Sequence, residues 1–249
     1  MPRIQRTGQI GRRLDLPPPY RVVMLREARD AFGHASAHAA ELGAGTLIFV
    51  GRFDVAELAV VFEPEEPLAA ARCVFYAGMV ALGDTLAAKA PPETPIAVEW
   101  PDAFHVDGGL VGGGRLGWPE TSEEDAVPEW LVFAGIIRIA ALGGDEAGLH
   151  AGATALETEG FGDLGAEQFV EGFARHLMVV TDRWQESGFA LVATDYLSRL
   201  RAGREARLSI AENGDLLIRR PDAPSERRVL RDALALPSWL DRETGAPRL

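Results

Sequence analysis

The chain has 249 residues, a length that suits one large domain or one domain with a small appendage. A net charge of −12 disfavours nucleic-acid binding, because an acidic surface repels phosphates, and the lack of an apolar run of about twenty residues excludes a membrane-spanning helix. The single cysteine, Cys73, excludes an internal disulfide or a zinc site made of several thiolates, and it fits a reducing, cytoplasmic location.

The first part of the chain alternates helix and strand patterns. Residues 1–16 are basic and lack the apolar stretch of a secretion signal, so we expect a flexible arm that leads into a run of prolines. An alanine-rich amphipathic pattern predicts a helix over residues 24–42. Two short runs rich in β-branched and aromatic residues, 46–53 and 57–64, predict a hairpin, and residues 67–89 predict a second helix.

Strands dominate the middle of the chain, and helices follow them. A strand group begins at residues 95–100, turns at an Asp-Gly-Gly sequence, returns over 110–116 and, after an acidic loop, continues with the apolar strand 130–140. Apolar residues at three- and four-residue steps predict a long amphipathic helix over 166–187, which ends at Gly188.

The C-terminal residues predict a small β appendage. A short helix over 189–199 precedes a boundary near residues 202–203. Beyond it, apolar and polar residues alternate about Asn213 and Gly214, which is the strongest hairpin signal in the chain.

Residues 100–120 carry the most informative pattern of the sequence. A strand that ends in Trp-Pro-Asp is followed by a tight turn and by three consecutive glycines, 112–114, on the returning strand. Glycines lack side chains and let a ligand lie against bare backbone. A bulged or bent strand that crosses a closely packed neighbour explains the same glycines equally well, so both interpretations stay open.

These residues resemble the biotin/lipoate protein ligase family. Residues 100–103, Trp-Pro-Asp-Ala, stand where that family has Trp-Pro-Asn-Asp, and Leu110 stands at the spacing that leads to the family's catalytic lysine. Val111 and the glycines after it correspond to the small residues that follow this lysine. The apolar strand, the long helix and the Asn-Gly hairpin are similar to family elements in the same order, over roughly residues 17–230.

The resemblance implies a fold and a site. The fold is α+β, with a biotin/lipoate-ligase-like mixed sheet flanked by helices over residues 17–202 and a small C-terminal β module over 203–249. The site takes biotin, lipoate or a related small carboxylic acid. The residues that we expect there are Arg52, Trp100, Asp102, Val111, Gly112, Gly113, Gly114, Arg115 and Arg138.

The chain departs from the family at the residues that carry out the chemistry. In such ligases the lysine stabilises charge that shifts as the acyl-adenylate forms, and Leu110 cannot do this. Ala103 replaces an aspartate linked to nucleotide and magnesium, and the glycine-arginine loop is reduced to residues 51–56. One positioned charge is commonly worth about two to three orders of magnitude in rate. We therefore expect no standard catalytic residue and no metal, with ATP and magnesium only if ligase activity survives.

Three arginines can replace the missing positive charge. Arg52 lies in the shortened loop, Arg115 follows the glycines and Arg138 stands where the family has asparagine. Guanidinium groups can bind a carboxylate or phosphate bidentately. In the other interpretation these arginines lie at strand ends, in solvent or paired with the many carboxylates of the chain.

Two functions follow, and the residues favour the first. One is a degenerate ligase-fold protein that binds a small carboxylic acid, its acyl-adenylate or a carrier-protein domain without standard ligation. The other is a divergent ligase or acyltransferase that uses arginines in place of the lysine. The arginines between residues 199 and 231 can dock an acidic carrier domain or fold back onto carboxylates of the chain. Neither function involves nucleic acid or a membrane.

Overall fold

The computed structural model describes residues 14–27, 30–141, 152–201, 206–221, 223–241, 243 and 247–248. It contains a seven-stranded mixed sheet with helices on both faces and a three-stranded antiparallel sheet near the C-terminus. The predicted α+β fold with a small β module is confirmed. The elements are β1 (Arg21–Leu25), α1 (Ala31–Leu42), β2 (Thr46–Val50), β3 (Val55–Phe62), α2 (Leu68–Ala71), α3 (Val74–Ala87), β4 (Ile96–Glu99), β5 (Ala103–Val106), β6 (Gly109–Gly117), β7 (Leu131–Arg138), α4 (Ala166–Ser187), α5 (Phe189–Ser198), β8 (Arg207–Ile210), β9 (Leu216–Arg219), β10 (Glu226–Arg228) and α6 (Leu230–Leu234).

The large sheet has the strand order β1-β2-β3-β7-β6-β5-β4. β1 and β2 are parallel, and the other neighbouring strands are antiparallel. β3 and β7 lie at the centre and are buried along almost their whole length, because helices cover both faces of the sheet. No helix within the described residues is long and apolar enough to cross a membrane.

One face of the sheet packs against α3 and α4 through a large aromatic core. Phe133 of β7 stacks on Phe173 of α4 with 5.9 Å between ring centroids, and it also contacts Phe75 of α3. The predicted pattern of α4 is confirmed, since its apolar positions are buried and it ends at Gly188, which has φ +83°. The predicted second helix is divided into α2 and α3.

The opposite face packs against α1 through small side chains. Ala31, Ala35 and Ala39 lie one turn apart and are buried against β2, β3 and β7. The helix begins later than the sequence predicts, because Asp30 caps it by accepting a hydrogen bond from the backbone N of Phe32. Arg21–Leu25, part of it inside the predicted helix, forms β1, an edge strand beside β2.

The C-terminal module contains the predicted hairpin, with Gly214 at φ +85° in its turn. After α6 the chain returns to the large sheet, as described below. Residues 1–13 of the predicted arm and 202–205 at the predicted boundary lie outside the described residues. Leu14 is buried, and the backbone N of Asp15 donates to the carboxylate of Glu171 in α4.

Candidate functional site

The face of the large sheet that packs against α1 extends beyond the N-terminal end of this helix. The antiparallel register places Glu57, Ile136, Gly113 and Ala103 in one row across β3, β7, β6 and β5. Residues paired directly across antiparallel strands point to the same face, so this row forms the floor of the candidate site. Arg115 lies two residues along β6 from Gly113 and shares the face.

Three consecutive glycines in β6 are enclosed by other parts of the chain. Gly112 has φ +145°, and a Cβ atom there would lie 1.9 Å from the carbonyl oxygen of Ile136. A Cβ atom on Gly113 would lie 2.3 Å from Cδ1 of Trp239, and one on Gly114 would lie 2.7 Å from a methionine sulfur. The pairing of β5 with β6 is also irregular. Close packing beside an irregular strand pair therefore accounts for these glycines.

The group above Gly113 is an indole from the C-terminal segment, which we define as residues 235–241. Trp239 is fully buried, and its Nε1 donates a hydrogen bond to the backbone O of Gly114 at 3.1 Å. The Trp239 cluster consists of Val55, Ala103, Ile136 and Trp239, with Leu110 and Leu240 packed against it. Trp239 is not among the predicted site residues, because a single tryptophan after a short helix belongs to no periodic pattern.

Two hydrogen bonds from Ser238 attach the C-terminal segment to Asp102. The Asp102 side chain is fully buried, and its Oδ1 accepts a hydrogen bond from Oγ of Ser238 at 2.5 Å. Oδ2 accepts a second hydrogen bond from the backbone N of Ser238 at 2.9 Å. Burial raises the pKa of Asp102 to about 6, although the hydrogen bonds from Ser238 oppose the rise. Asp102 therefore holds the C-terminal segment.

Apolar side chains lie where the resemblance places a lysine and an aspartate linked to magnesium. Leu110 packs against the Trp239 cluster, and Ala103 is part of it. The single lysine, Lys89, is exposed beyond the end of α3. Among the described residues, no three His, Cys, Asp or Glu side chains are grouped to hold a metal ion. Ala103 has no ligand atom, and both oxygens of Asp102 accept hydrogen bonds from Ser238, so in this arrangement the residues at this position do not fit magnesium.

Two of the candidate arginines lie around Asp54 at the start of β3. Arg52 donates two hydrogen bonds to the Asp54 carboxylate, at 3.0 Å from Nε and 2.6 Å from Nη2. Arg138 pairs across the strands with Val55, and within the described ranges it makes no ion pair. Burial acts to raise the pKa of Asp54, but the hydrogen bond and charge of Arg52, with a smaller effect of Arg138, lower it overall. Arg138 is therefore the candidate cation that is still available.

The third arginine, Arg115, is held at the N-terminal end of α1. Its Nη2 donates to Oδ1 of Asp30 at 2.7 Å, and its guanidinium carbon lies 4.0 Å from the ring centroid of Phe32. Glu57, which is 6% exposed, accepts a hydrogen bond from the backbone N of Ala31 at 2.8 Å. Burial raises the pKa of Glu57 and lowers that of Arg115. A helix N-terminus attracts anions, and here two carboxylates of the chain take that place.

Two predicted site residues lie on the opposite side of the sheet. Val111 is buried in the large core. Trp100 packs against that core, and its Nε1 donates to the hydroxyl oxygen of Tyr76 at 3.2 Å. The structure instead brings together Asp102, the glycines of β6, Leu110 and the C-terminal segment. Asp30, Glu57 and Ser238 are not among the predicted site residues, since the role of an isolated polar residue is visible only once its partners are known.

Residues 16–198 match the sequence model of the family described as Biotin/lipoate A/B protein ligase family. The chain belongs to this family. A solved structure of a biotin protein ligase-like protein of unknown function from Silicibacter sp. TM1040 is 27% identical, with a TM-score of 0.76 over 88% of this chain and 98% of that one. No curated protein matches the chain in sequence.

More distant members of the ligase family share the fold. The biotin protein ligase of Aquifex aeolicus is 14% identical, with a TM-score of 0.66 over 84% of this chain and 96% of that one. The biotin protein ligase of Leishmania major, solved with biotinyl-5-AMP, is 16% identical, with a TM-score of 0.52 over 85% of this chain and 98% of that one. At these identities the similarity concerns the fold alone.

Proposed function

We propose that this member of the ligase family binds a small carboxylic acid of the biotin or lipoate type, or its acyl-adenylate, without standard ligation. The observation that supports the proposal is the Trp239 cluster. Leu110 and Ala103 give apolar contacts there, at the positions where the resemblance implies the family's lysine and magnesium-linked aspartate. Adenylation needs fixed positive charge where negative charge develops on acyl and phosphate oxygens, and neither side chain supplies it.

The ion pairs around the site support the same proposal. Arg52 is bound to Asp54, Arg115 is bound to Asp30, and the N-terminal end of α1 is bound to Glu57. A phosphate would have to displace an internal carboxylate at each of these points. Arg138 needs no such displacement, so we assign it the carboxylate of the bound acid.

The polar atoms around the Trp239 indole indicate which ring fits best. The backbone O of Gly114 and the carboxylate of Asp102 are hydrogen-bond acceptors, and both now receive donors from the C-terminal segment. A ligand that takes the place of this segment has to supply N–H or O–H groups, because a buried acceptor without a partner is costly. The cyclic urea of biotin has two N–H groups and the dithiolane ring of lipoate has none. We therefore expect a biotin-type acid to bind more tightly than lipoate.

The test is a thermal unfolding series with biotin, lipoate, octanoate and ATP, followed by a pyrophosphate assay with each acid that binds. A ligand whose free concentration is one hundred times its Kd adds about 2.7 kcal/mol to the free energy of unfolding. We expect stabilisation by the biotin-type acid, no ATP-dependent pyrophosphate release, and much weaker binding in Arg138→Gln. Arg183→Gln is the control for the loss of one positive charge, because Arg183 pairs with Asp195 away from the site. No stabilisation by any acid would refute the proposal.

A second candidate function is a divergent ligase or acyltransferase that uses Arg138 in place of the lysine. The observation in its favour is that Arg138 makes no ion pair among the residues that the structure describes. ATP and magnesium would then be required, and Ala103 could not be a ligand of the magnesium. Pyrophosphate release that depends on ATP and disappears in Arg138→Gln would establish this function over the first.

A carrier-protein domain remains a proposed partner. Several arginines of the C-terminal module fold back onto carboxylates, since Arg227 binds Asp215 at 2.5 Å and Arg231 binds Glu124 at 3.1 Å. Arg220 and Arg228 share the carboxylate of a single glutamate in β10. These pairs reduce the positive charge that the module can offer to an acidic partner, so we give the small acid priority over the carrier domain.

A further inference from the structure

We propose that the C-terminal segment is an intramolecular occupant of the ligand site and must leave before an acid can bind. The inference deepens the proposed function and rests on it for the identity of the external ligand. The docking of the segment itself needs no external ligand, so the two proposals can fail separately.

The first support is the fit between the indole and the floor of the site. Trp239 is fully buried against Gly113, where any larger residue would collide with its ring. The indole N–H is satisfied by Gly114, so neither the apolar nor the polar part of the ring lacks a partner. The floor is therefore shaped to hold this side chain.

The second support is the pair of hydrogen bonds between Ser238 and Asp102. A carboxylate accepts hydrogen bonds with both oxygens, and here the two oxygens receive the hydroxyl and the backbone N–H of one residue. The resemblance places an asparagine at this position in the family, and an asparagine side chain has one acceptor oxygen. The aspartate is thus the better partner for two donors from the C-terminal segment.

The third support is the attachment of the segment to the rest of the chain. α6 is fixed by the buried side chains of Leu230 and Leu234 and by a hydrogen bond from the backbone N of Leu230 to Asp215 at 2.9 Å. The next residues include Leu236, which is 62% exposed. This exposed connection lets Ser238 and Trp239 leave the site while α6 and the sheet keep their own contacts.

The space and polar groups that the segment releases are those that the proposed ligand needs. A buried tryptophan covers about 150–250 Å² of surface, which is the scale of a small fused ring. The acceptors at Gly114 and Asp102 become available at the same time. Binding of the acid and docking of the segment are therefore mutually exclusive, and the apparent Kd is the intrinsic Kd divided by the open fraction.

The test combines hydrogen–deuterium exchange with ligand titration in the full chain. Exchange of a peptide that covers residues 236–248 should accelerate about tenfold or more in Trp239→Ala and Ser238→Ala, because each loses contacts of the docked state. Leu236→Ala is the control in the same segment and should exchange like the parent. Ser238→Ala keeps the indole and serves as the second variant if Trp239→Ala unfolds. The apparent Kd for biotin should fall in Ser238→Ala by the factor by which the open fraction rises.

The outcomes separate the two proposals. Unchanged exchange in both variants would overturn docking through these residues. Faster exchange with an unchanged Kd for biotin would overturn the competition between segment and ligand. Faster exchange in proteins that bind neither biotin nor lipoate would confirm the docking and refute the proposed function alone.

Discussion

The two faces of the large sheet are covered in different ways. One face is covered by α3 and α4, whose aromatic side chains form a continuous core with Phe133. The other is covered by the small alanines of α1 and, beyond the end of that helix, by a single tryptophan from the C-terminal segment. The helices α3 and α4 cannot leave their face without unfolding the domain. The cover of the other face depends, beyond the end of α1, on a few residues of the C-terminal segment.

We therefore expect the face covered by α3 and α4 to be the more stable one, and the cover at the C-terminal segment to be the one that can open locally. On the face that packs against α1, Arg52 and Arg115 are neutralised by carboxylates of the chain, and the indole of Trp239 is buried beyond the end of the helix. A face that is closed by the chain's own residues keeps its buried acceptors satisfied and excludes water without a ligand.

The largest difference between the two faces should appear in the effect of removing one aromatic side chain from each. Phe133→Ala should lower the free energy of unfolding by about 3–5 kcal/mol, because the fixed helices cannot fill the cavity. Trp239→Ala should lower the free energy of unfolding by about 1–3 kcal/mol. This loss cannot exceed the free energy with which the C-terminal segment docks on the sheet. Urea unfolding with a common m-value measures both. Equal losses would show that the segment belongs to the same cooperative core.

Sequence patterns are sufficient to predict elements with local signals, but not the way the α1 face of the large sheet is covered. The apolar period of α4 and the Asn-Gly hairpin are local signals, and both predictions are confirmed. Leu110 and Ala103 are predicted departures from the family, based on the spacing of their sequence neighbours, and they stay predictions. The occupant of the site could not be predicted, because Trp239 and Gly113 are 126 residues apart in the sequence and no period connects them.

The three glycines of β6 and the three candidate arginines also could not be interpreted from the sequence alone. The sequence left two interpretations for each set, one with a ligand and one with packing or ion pairs within the chain. Choosing between them requires the positions of Trp239, Asp30 and Asp54, which are set by tertiary structure. The burial of Glu57 at the start of α1 is likewise invisible until the helix and the strand are placed together.

A smaller effect should appear in the pH dependence of the face that holds the C-terminal segment. Burial raises the pKa of Asp102 to about 6 in the folded protein, so the protonated form favours folding. This stabilisation is complete below the unfolded pKa of about 4 and is lost as the pH rises through 6. From pH 5 to pH 7.5 the loss should be about 1 kcal/mol.

The contribution of Asp102 can be isolated with Asp102→Asn. The parent chain and the variant are unfolded in urea at pH 5 and pH 7.5, and the difference between them should change by the stated amount. Glu57, whose pKa is also raised by burial, is present in both proteins and cancels. A difference that is independent of pH would show that Asp102 keeps its ordinary pKa.

The smallest effect on stability is expected at Arg138, where the consequence for binding should be larger. Arg138→Gln should change the free energy of unfolding by less than about 0.5 kcal/mol, because this arginine has no ion pair among the described residues. Arg115→Gln should lower the free energy of unfolding by more than Arg138→Gln does, since it removes the hydrogen bond to Asp30 and the contact with the ring of Phe32.

If Arg138 binds the carboxylate of the acid, Arg138→Gln should raise the Kd for biotin about tenfold or more, which calorimetric titration measures. A variant that is both as stable and as tightly bound as the parent would place the carboxylate elsewhere on the ligand face.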